Sequence, residues 1–180
     1  ALLGDIACKC VRHFEGHPDR TRVIGTGGTP DKLDLIREHG AEVALNYREE
    51  DFVRRVREIT DGRGVDVGYD SVGQTTFMPS LDCLRPMGML VSFGQSSGPI
   101  EDFKLADLAQ YGCLYATRPT LFAFIADRKE LEKRSRQLFK AIKDKDVKIA
   151  VNQTFELDKV KEAHDALEGR KTTGQTVLIP

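Results

Sequence analysis

Small, hydroxyl-bearing and amide residues gather at four places in this 180-residue chain, each just after an apolar run. They are Thr26-Gly27-Gly28, Asn46-Tyr47-Arg48, Asp70-Ser71-Val72-Gly73 and Phe93-Gly94-Gln95-Ser96-Ser97-Gly98. Glycine lets a ligand approach the backbone, and hydroxyls and amides supply hydrogen bonds. Ordinary turns favour the same residue types. Their recurrence at successive strand ends is what points to a dinucleotide site, because open parallel sheets hold ligands beyond the carboxyl ends of their strands.

The second strand end narrows the chemistry. Enzymes that use NAD place Asp or Glu there for the ribose hydroxyls. Here the tip is Gly25-Thr26-Gly27-Gly28, with no acid before Asp31 and with Lys32 just after it. A missing carboxylate beside a cation suits the 2′-phosphate of NADP, and a helix starting at Pro30 adds partial positive charge. The alternative is that Lys32 is one more solvated lysine. Tyr47 either stacks against the adenosine side or simply covers the sheet edge. The glycine fingerprint that opens a dinucleotide fold is absent, and only Gly4 stands where its last glycine would fall.

Other chemistries find little support. Cys8, Cys10, Cys83 and Cys113 form no C-x-x-C pair, and His13, His17, His39 and His164 form no H-x-x-H cluster, so no metal site is expected. The cysteines read as reduced, mostly buried thiols of a cytoplasmic protein. Net charge is -1, with no basic stripe, which argues against nucleic acid. No apolar run approaches the ~20 residues of a membrane span.

The elements that must position these residues follow from periodicity. Leu3, Ile6, Ala7, Cys10, Val11 and Phe14 recur at helical spacing, so a helix is expected over 3–14. Strands are expected at 22–26, 42–47, 65–70, 88–94 and 113–117. Helices are expected between them: one from Thr29-Pro30 to Gly40, one over 50–60, one over 75–85 and a short one over 103–110. A long helix over 127–144 follows, with Glu130 and Arg134 able to pair across one turn. A strand at 147–151, a helix over 158–167 and a strand at 176–180 close the chain. This rhythm means an α/β fold with a doubly wound, mostly parallel Rossmann-type sheet. The composition changes near 145, so two parts are expected: residues 1–144 as the dinucleotide-binding domain and 145–180 as a strand–helix–strand appendage.

Longer runs carry a family likeness. VIGTGGTPDKLDL, ALNYREEDFVRRVREITDGRGVDVGYDSVG, SLDCLRPMGMLVSFGQSSG, LYATRPTLFAFI and GRKTTGQTVLIP resemble the zinc-independent quinone oxidoreductases of the medium-chain dehydrogenase/reductase superfamily. The resemblance covers nearly the whole chain and follows the order of that family's C-terminal half. It implies NADPH as hydride donor and a quinone, or another conjugated carbonyl, as acceptor. Position by position, it assigns Lys32 and Tyr47 to the adenosine 2′-phosphate region and Ser71 to the pyrophosphate or ribose. It assigns Phe93 and Gln95 to the nicotinamide side, and Arg170 to a reach from the C-terminal segment.

The departures from that family set further expectations. The family's catalytic domain and the first strand of its sheet are missing here, and His17-Pro18-Asp19-Arg20 lengthens the link before VIGT. The sheet is therefore expected to lack its usual first strand, leaving VIGT and VDVGYD beside an open slot of unpaired backbone. Such edges recruit other chains, so homo-oligomers through sheet edges are expected, or a domain of low stability. The chain reads as a shortened homologue with little turnover of its own. The rival is a non-catalytic nucleotide-binding or protein-interaction module that keeps the fold.

Overall fold

The computed structural model describes residues 7–11, 22–144, 147, 149–169 and 172–180. The chain divides into two compact units, Leu3–Pro119 and one that holds Thr120–Pro180. The boundary expected near 145 thus lies inside the second unit.

The first unit is built on a six-stranded sheet. Its strands are β1 (Ala7–Val11), β2 (Arg22–Gly27), β3 (Val43–Asn46), β4 (Val65–Asp70), β5 (Leu84–Ser92) and β6 (Tyr115–Thr117), in spatial order β3-β2-β1-β4-β5-β6. β2 and β3 are parallel, and so are β4, β5 and β6. Helices α1 (Pro30–Glu38), α2 (Phe52–Ile59), α3 (Phe77–Asp82) and α4 (Leu105–Gln110) connect them. The expected doubly wound α/β class is observed.

One strand departs from expectation. The spacing predicts a helix over 3–14, yet residues 7–11 form β1, which lies antiparallel between β2 and β4. Cys8 is aligned with Gly25 on one side and with Tyr69 on the other. The slot expected between VIGT and VDVGYD is therefore filled, and among the described residues the open edges of the sheet are β3 and β6. The physical reason is hydrogen-bond satisfaction. Each buried, unpaired backbone group costs about 1–3 kcal/mol, and a strand in the slot satisfies two neighbours at once. That outweighs a helical preference that rests on periodicity alone.

Two helix faces pack on opposite sides of the sheet. A Cβ at Gly25 would stand 2.4 Å from Ile36 Cγ2, so α1 rests directly on β2. The main core lies on the other face, where Ile24, Leu45, Phe52, Val56, Phe77, Leu81, Leu84 and Leu90 are buried together. Arg57 on α2 donates to the carbonyls of Gly62, Asp82 and Leu84, tying α2 to the end of α3 and the start of β5. Cys83 is buried, whereas Cys113 is exposed; both are free thiols.

The second unit holds α5 (Leu121–Phe124), α6 (Arg128–Lys143), β7 (Val151–Glu156), a single 3-10 turn (Leu157–Lys159), α7 (Val160–Glu168) and β8 (Gln175–Ile179). β7 and β8 form a parallel pair. Asp127 caps α6 by accepting from the amides of Lys129 and Glu130, and Glu130 pairs with Arg134 at 3.3 Å as expected. The strand expected at 147–151 begins only at its last residue, because the hydrogen-bonded ladder to β8 runs from Val151 onward.

Asp66, at the amino end of β4, is held by Arg63 at 2.8 Å and Arg85 at 2.6 Å. Burial pushes its carboxyl pKa up, but the hydrogen bonds and charges of the two arginines outweigh burial and hold it below the ordinary aspartate value. A lowered folded-state pKa contributes stability that is present above the unfolded pKa and lost as pH falls through the folded one. Asp66→Asn should therefore lower stability by roughly 1–2 kcal/mol at pH 7, the arginines being partly exposed. The difference from wild type should shrink below about pH 4, as measured by urea unfolding across pH. A constant difference down to pH 2 would contradict this.

Candidate dinucleotide site at the strand carboxyl ends

β2 through β6 all run the same way, so the predicted turns lie along one edge of the first unit. At the β2 tip, Thr26-Gly27-Gly28, the chain passes from buried strand toward the rim. Thr29 takes an extended conformation and Pro30 opens α1; the Thr29 carbonyl accepts from the amides of Lys32 and Leu33. A Cβ at Gly27 would stand 3.2–3.3 Å from Ile36, Leu33 and Lys32. The first turn of the helix can sit this close because the residue is glycine. Lys32, half-buried, lies on that turn.

The β3 tip folds over the β2 tip. The Tyr47 amide donates to the Gly27 carbonyl at 3.2 Å. A Cβ at Gly28 would stand 2.8 Å from Tyr47 Oη and 2.9 Å from Arg48 Nε. The Arg48 guanidinium lies 5.9 Å from the centre of the Tyr47 ring. Lys32, Tyr47, Arg48 and the start of α1 thus form one corner. Two cations and a helix start favour a phosphate there. Glu50, close behind the tip, is engaged: its Oε1 accepts from the Asn46 amide and its Oε2 faces Arg55 at 3.5 Å.

The β4 tip is built around Asp70, whose residue is fully buried. Asp70 Oδ1 accepts from the amides of Val72 and Gly73, each at 2.8 Å. Oδ2 accepts from Thr76 Oγ1 at 2.7 Å and Ser80 Oγ at 3.1 Å. One carboxylate therefore shapes the Ser71-Val72-Gly73 turn and fastens it to α3. Gly73 has φ +90, a conformation that glycine adopts without strain.

The β5 tip locks onto this turn. The Phe93 amide donates to the Asp70 carbonyl, the Ser96 amide to the Ser71 carbonyl and the Ser97 amide to the Val72 carbonyl. Ser97 Oγ donates to the Val72 carbonyl and accepts from the Thr75 amide. A Cβ at Gly94 would stand 2.4 Å from the Ser71 carbonyl oxygen, and one at Gly73 would stand 2.9 Å from Gln95 Cα. Ser71 is buried, Phe93 is half-buried and Gln95 is exposed.

The residues expected from sequence thus fall in two groups on one edge. Thr26, Lys32 and Tyr47 gather at the β2–β3 corner; Ser71, Phe93 and Gln95 gather at the β4–β5 tips. β1 separates the groups, so β2 and β4 stand roughly 10 Å apart, two strand spacings. In a Rossmann sheet the first strand leads into the helix whose start holds the pyrophosphate. β1 runs the other way here, and its carboxyl end, Val11, lies toward the opposite edge. Gly4 and Arg170 lie outside the described residues. Sequence reasoning does not single out Arg48 or Arg118. For Arg48 a signal exists: a cation next to Tyr47 at the same tip.

Among the described residues, two buried donors at the strand ends have no protein partner, Asn46 Nδ2 and Ser92 Oγ. Among the same residues no group of three His, Cys, Asp or Glu could hold a metal ion. No helix among them is long and apolar enough to cross a membrane.

A family profile described as zinc-binding dehydrogenase matches residues 39–178. The chain belongs to that family. Its relatives include a quinone oxidoreductase of Pseudomonas aeruginosa, 45% identical over 159 residues, which cover 88% of this chain and 49% of the relative. Quinone oxidoreductase 1 of Escherichia coli is 43% identical over 180 residues, covering 99% of this chain and 54% of the relative. A 2-haloacrylate reductase of Burkholderia is 42% identical, covering 99% and 52%. The chain thus spans about half the length of the curated relatives it matches. The crystal structure of Escherichia coli quinone oxidoreductase complexed with NADPH superposes with a TM-score of 0.82 at 46% identity, over 87% of this chain and 49% of that one. The resemblance to quinone oxidoreductases read from sequence is confirmed, as is its placement in the C-terminal half.

The site rests on the Asp70 carboxylate. Asp70→Ala would leave the Val72 and Gly73 amides buried without an acceptor, and stability should fall by about 3–5 kcal/mol, a large part of a domain's ~5–15. Asp70→Asn keeps an acceptor for both amides, and the two hydroxyls can turn to accept from its NH2, so its loss should be smaller. Denaturant unfolding should rank wild type above Asn above Ala; equal midpoints for Ala and wild type would refute the assignment.

Proposed function

We propose that this chain carries the NADPH-holding half of an oxidoreductase that reduces a quinone or another conjugated carbonyl. The observation that carries the reading is the β2–β3 corner. Gly28 lets Tyr47 and Arg48 pack directly on the β2 tip, Lys32 stands on the first turn of α1, and the Glu50 carboxylate is already engaged by Asn46 and Arg55. These groups fit the adenosine 2′-phosphate. The unpartnered Asn46 Nδ2 and Ser92 Oγ fit a rim that is completed by a polar ligand. Two kinds of relative support the acceptor class, quinone oxidoreductases and a 2-haloacrylate reductase, because quinones and haloacrylates are both electron-poor conjugated systems.

When bound, NADPH supplies a hydride from its nicotinamide ring. The chain's own residues bind and orient. Lys32, Tyr47 and Arg48 hold the adenosine phosphate end. The interlocked β4 and β5 tips present Ser71, Phe93 and Gln95 along the other part of the rim. No proton transfer is assigned to a side chain of this chain. The proposed reaction uses no metal, in keeping with cysteines and histidines that lack ligand spacing. The proposed setting is cytoplasmic, with reduced thiols.

A second reading, a nucleotide-binding module without turnover, is favoured by β1. That strand runs opposite to β2 and β4, so its carboxyl end, Val11, lies at the edge away from the rim. The two readings share the corner and differ in rate. The chain should bind NADPH about tenfold more tightly than NADH, and Lys32→Ala should erase most of that preference. Calorimetric titration checks this; equal affinities in wild type would overturn the NADPH assignment. Turnover of NADPH with a quinone by the chain alone should be far below the median enzyme rate of ~10 s⁻¹. A rate near that value would remove the second reading.

A further inference from the structure

Beyond the residues already placed on the rim, one cation reaches it from the edge strand. Arg118 follows β6 and donates through Nη1 to the Ser92 carbonyl at 3.0 Å and through Nη2 to Gln95 Oε1 at 3.4 Å. The Gln95 backbone is clamped separately. Its Cα lies 2.9 Å from where a Cβ on Gly73 would stand, and its carbonyl accepts from the Gly98 amide at 3.0 Å. The main chain of Gln95 is thus fixed by the β4 and β5 tips, and its exposed side chain is met by the residue that follows β6.

An arginine can only donate, so it selects one face of the glutamine amide. With Oε1 turned toward Arg118, the NH2 group of Gln95 is left facing away as a donor. We infer that Arg118 is a positioning residue: it holds the Gln95 amide so that its NH2 group offers hydrogen bonds to an acceptor oxygen on the nicotinamide half of NADPH. The inference rests on the NADPH reading above. It adds what that reading lacks, a reason for the Gln95 side chain to keep one orientation. It also gives the edge strand β6 a part in the site.

Arg118 is exposed and lies past the last residue of an edge strand, so its replacement should leave the fold intact. The test compares two ligands, NADPH and 2′,5′-ADP, the latter lacking the nicotinamide half. Both are titrated calorimetrically into the wild-type chain, Arg118→Met, Gln95→Ala and the double variant, with melting temperatures recorded alongside. Arg118→Met should weaken NADPH about three- to tenfold and leave 2′,5′-ADP within about twofold. Gln95→Ala should do the same, and the double variant should lose little more than either alone, because the two act as one unit. Gln95→Glu, which keeps the bond to Arg118 but has no NH2 group, should also weaken NADPH alone. If Arg118→Met leaves NADPH affinity unchanged, lowers both ligands equally, or adds its full effect to that of Gln95→Ala, the inference falls while the NADPH site stands. If the wild-type chain binds neither ligand, both fall together.

Discussion

A single buried carboxylate organises the half of the rim that the rest of the site leans on. Asp70 stops β4, and its oxygens gather two backbone amides and two hydroxyls. Its own carbonyl receives the Phe93 amide, the first of several bonds by which the β5 tip is laid against the β4 turn. All four partners of the carboxylate are neutral donors. A buried charge is tolerated only when it is fully hydrogen-bonded, and here that requirement is what fixes the turn. Ser71, Phe93 and Gln95 take their places because the backbone beneath them has little freedom.

The other constraint is the centre of the sheet. β2 and β4 each need a neighbour, and β1 supplies one to both. It does so in reverse, which satisfies the backbone as well as a parallel strand would but sends the chain away from the rim at its carboxyl end. The slot between β2 and β4 is filled, and the β2–β3 corner and the β4–β5 tips remain on one edge. Relatives of about twice the length match this chain through both flanks.

Much of the architecture was legible in the sequence because its signals are local. Thr29-Pro30 marked the start of α1, Val65, Val67 and Tyr69 marked β4, and the Gly-, Ser- and Thr-rich tips marked the edge where a ligand would sit. The direction of β1 was not legible. Residues 3–14 carry helical spacing, whereas the strand is demanded by partners far along the chain, and periodicity holds no information about unpaired neighbours. Arg118 was hidden for a similar reason. It is one arginine among many until β6 falls beside β5 and brings it to Ser92 and Gln95. Asp70 reads as the end of a strand, but its role as acceptor for Thr76 and Ser80 needs α3 to fold back beneath the turn.

In the proposed reading the β2–β3 corner and the β4–β5 tips are two parts of one NADPH-binding edge. Amide chemical-shift mapping of the isotope-labelled chain during titration with NADPH tests this most directly. Saturable shifts are expected at Gly28, Lys32, Tyr47 and Arg48 together with Ser71, Gly73, Gly94 and Gln95, following one binding curve. Shifts confined to residues away from both tips, or separate curves for the two groups, would contradict it.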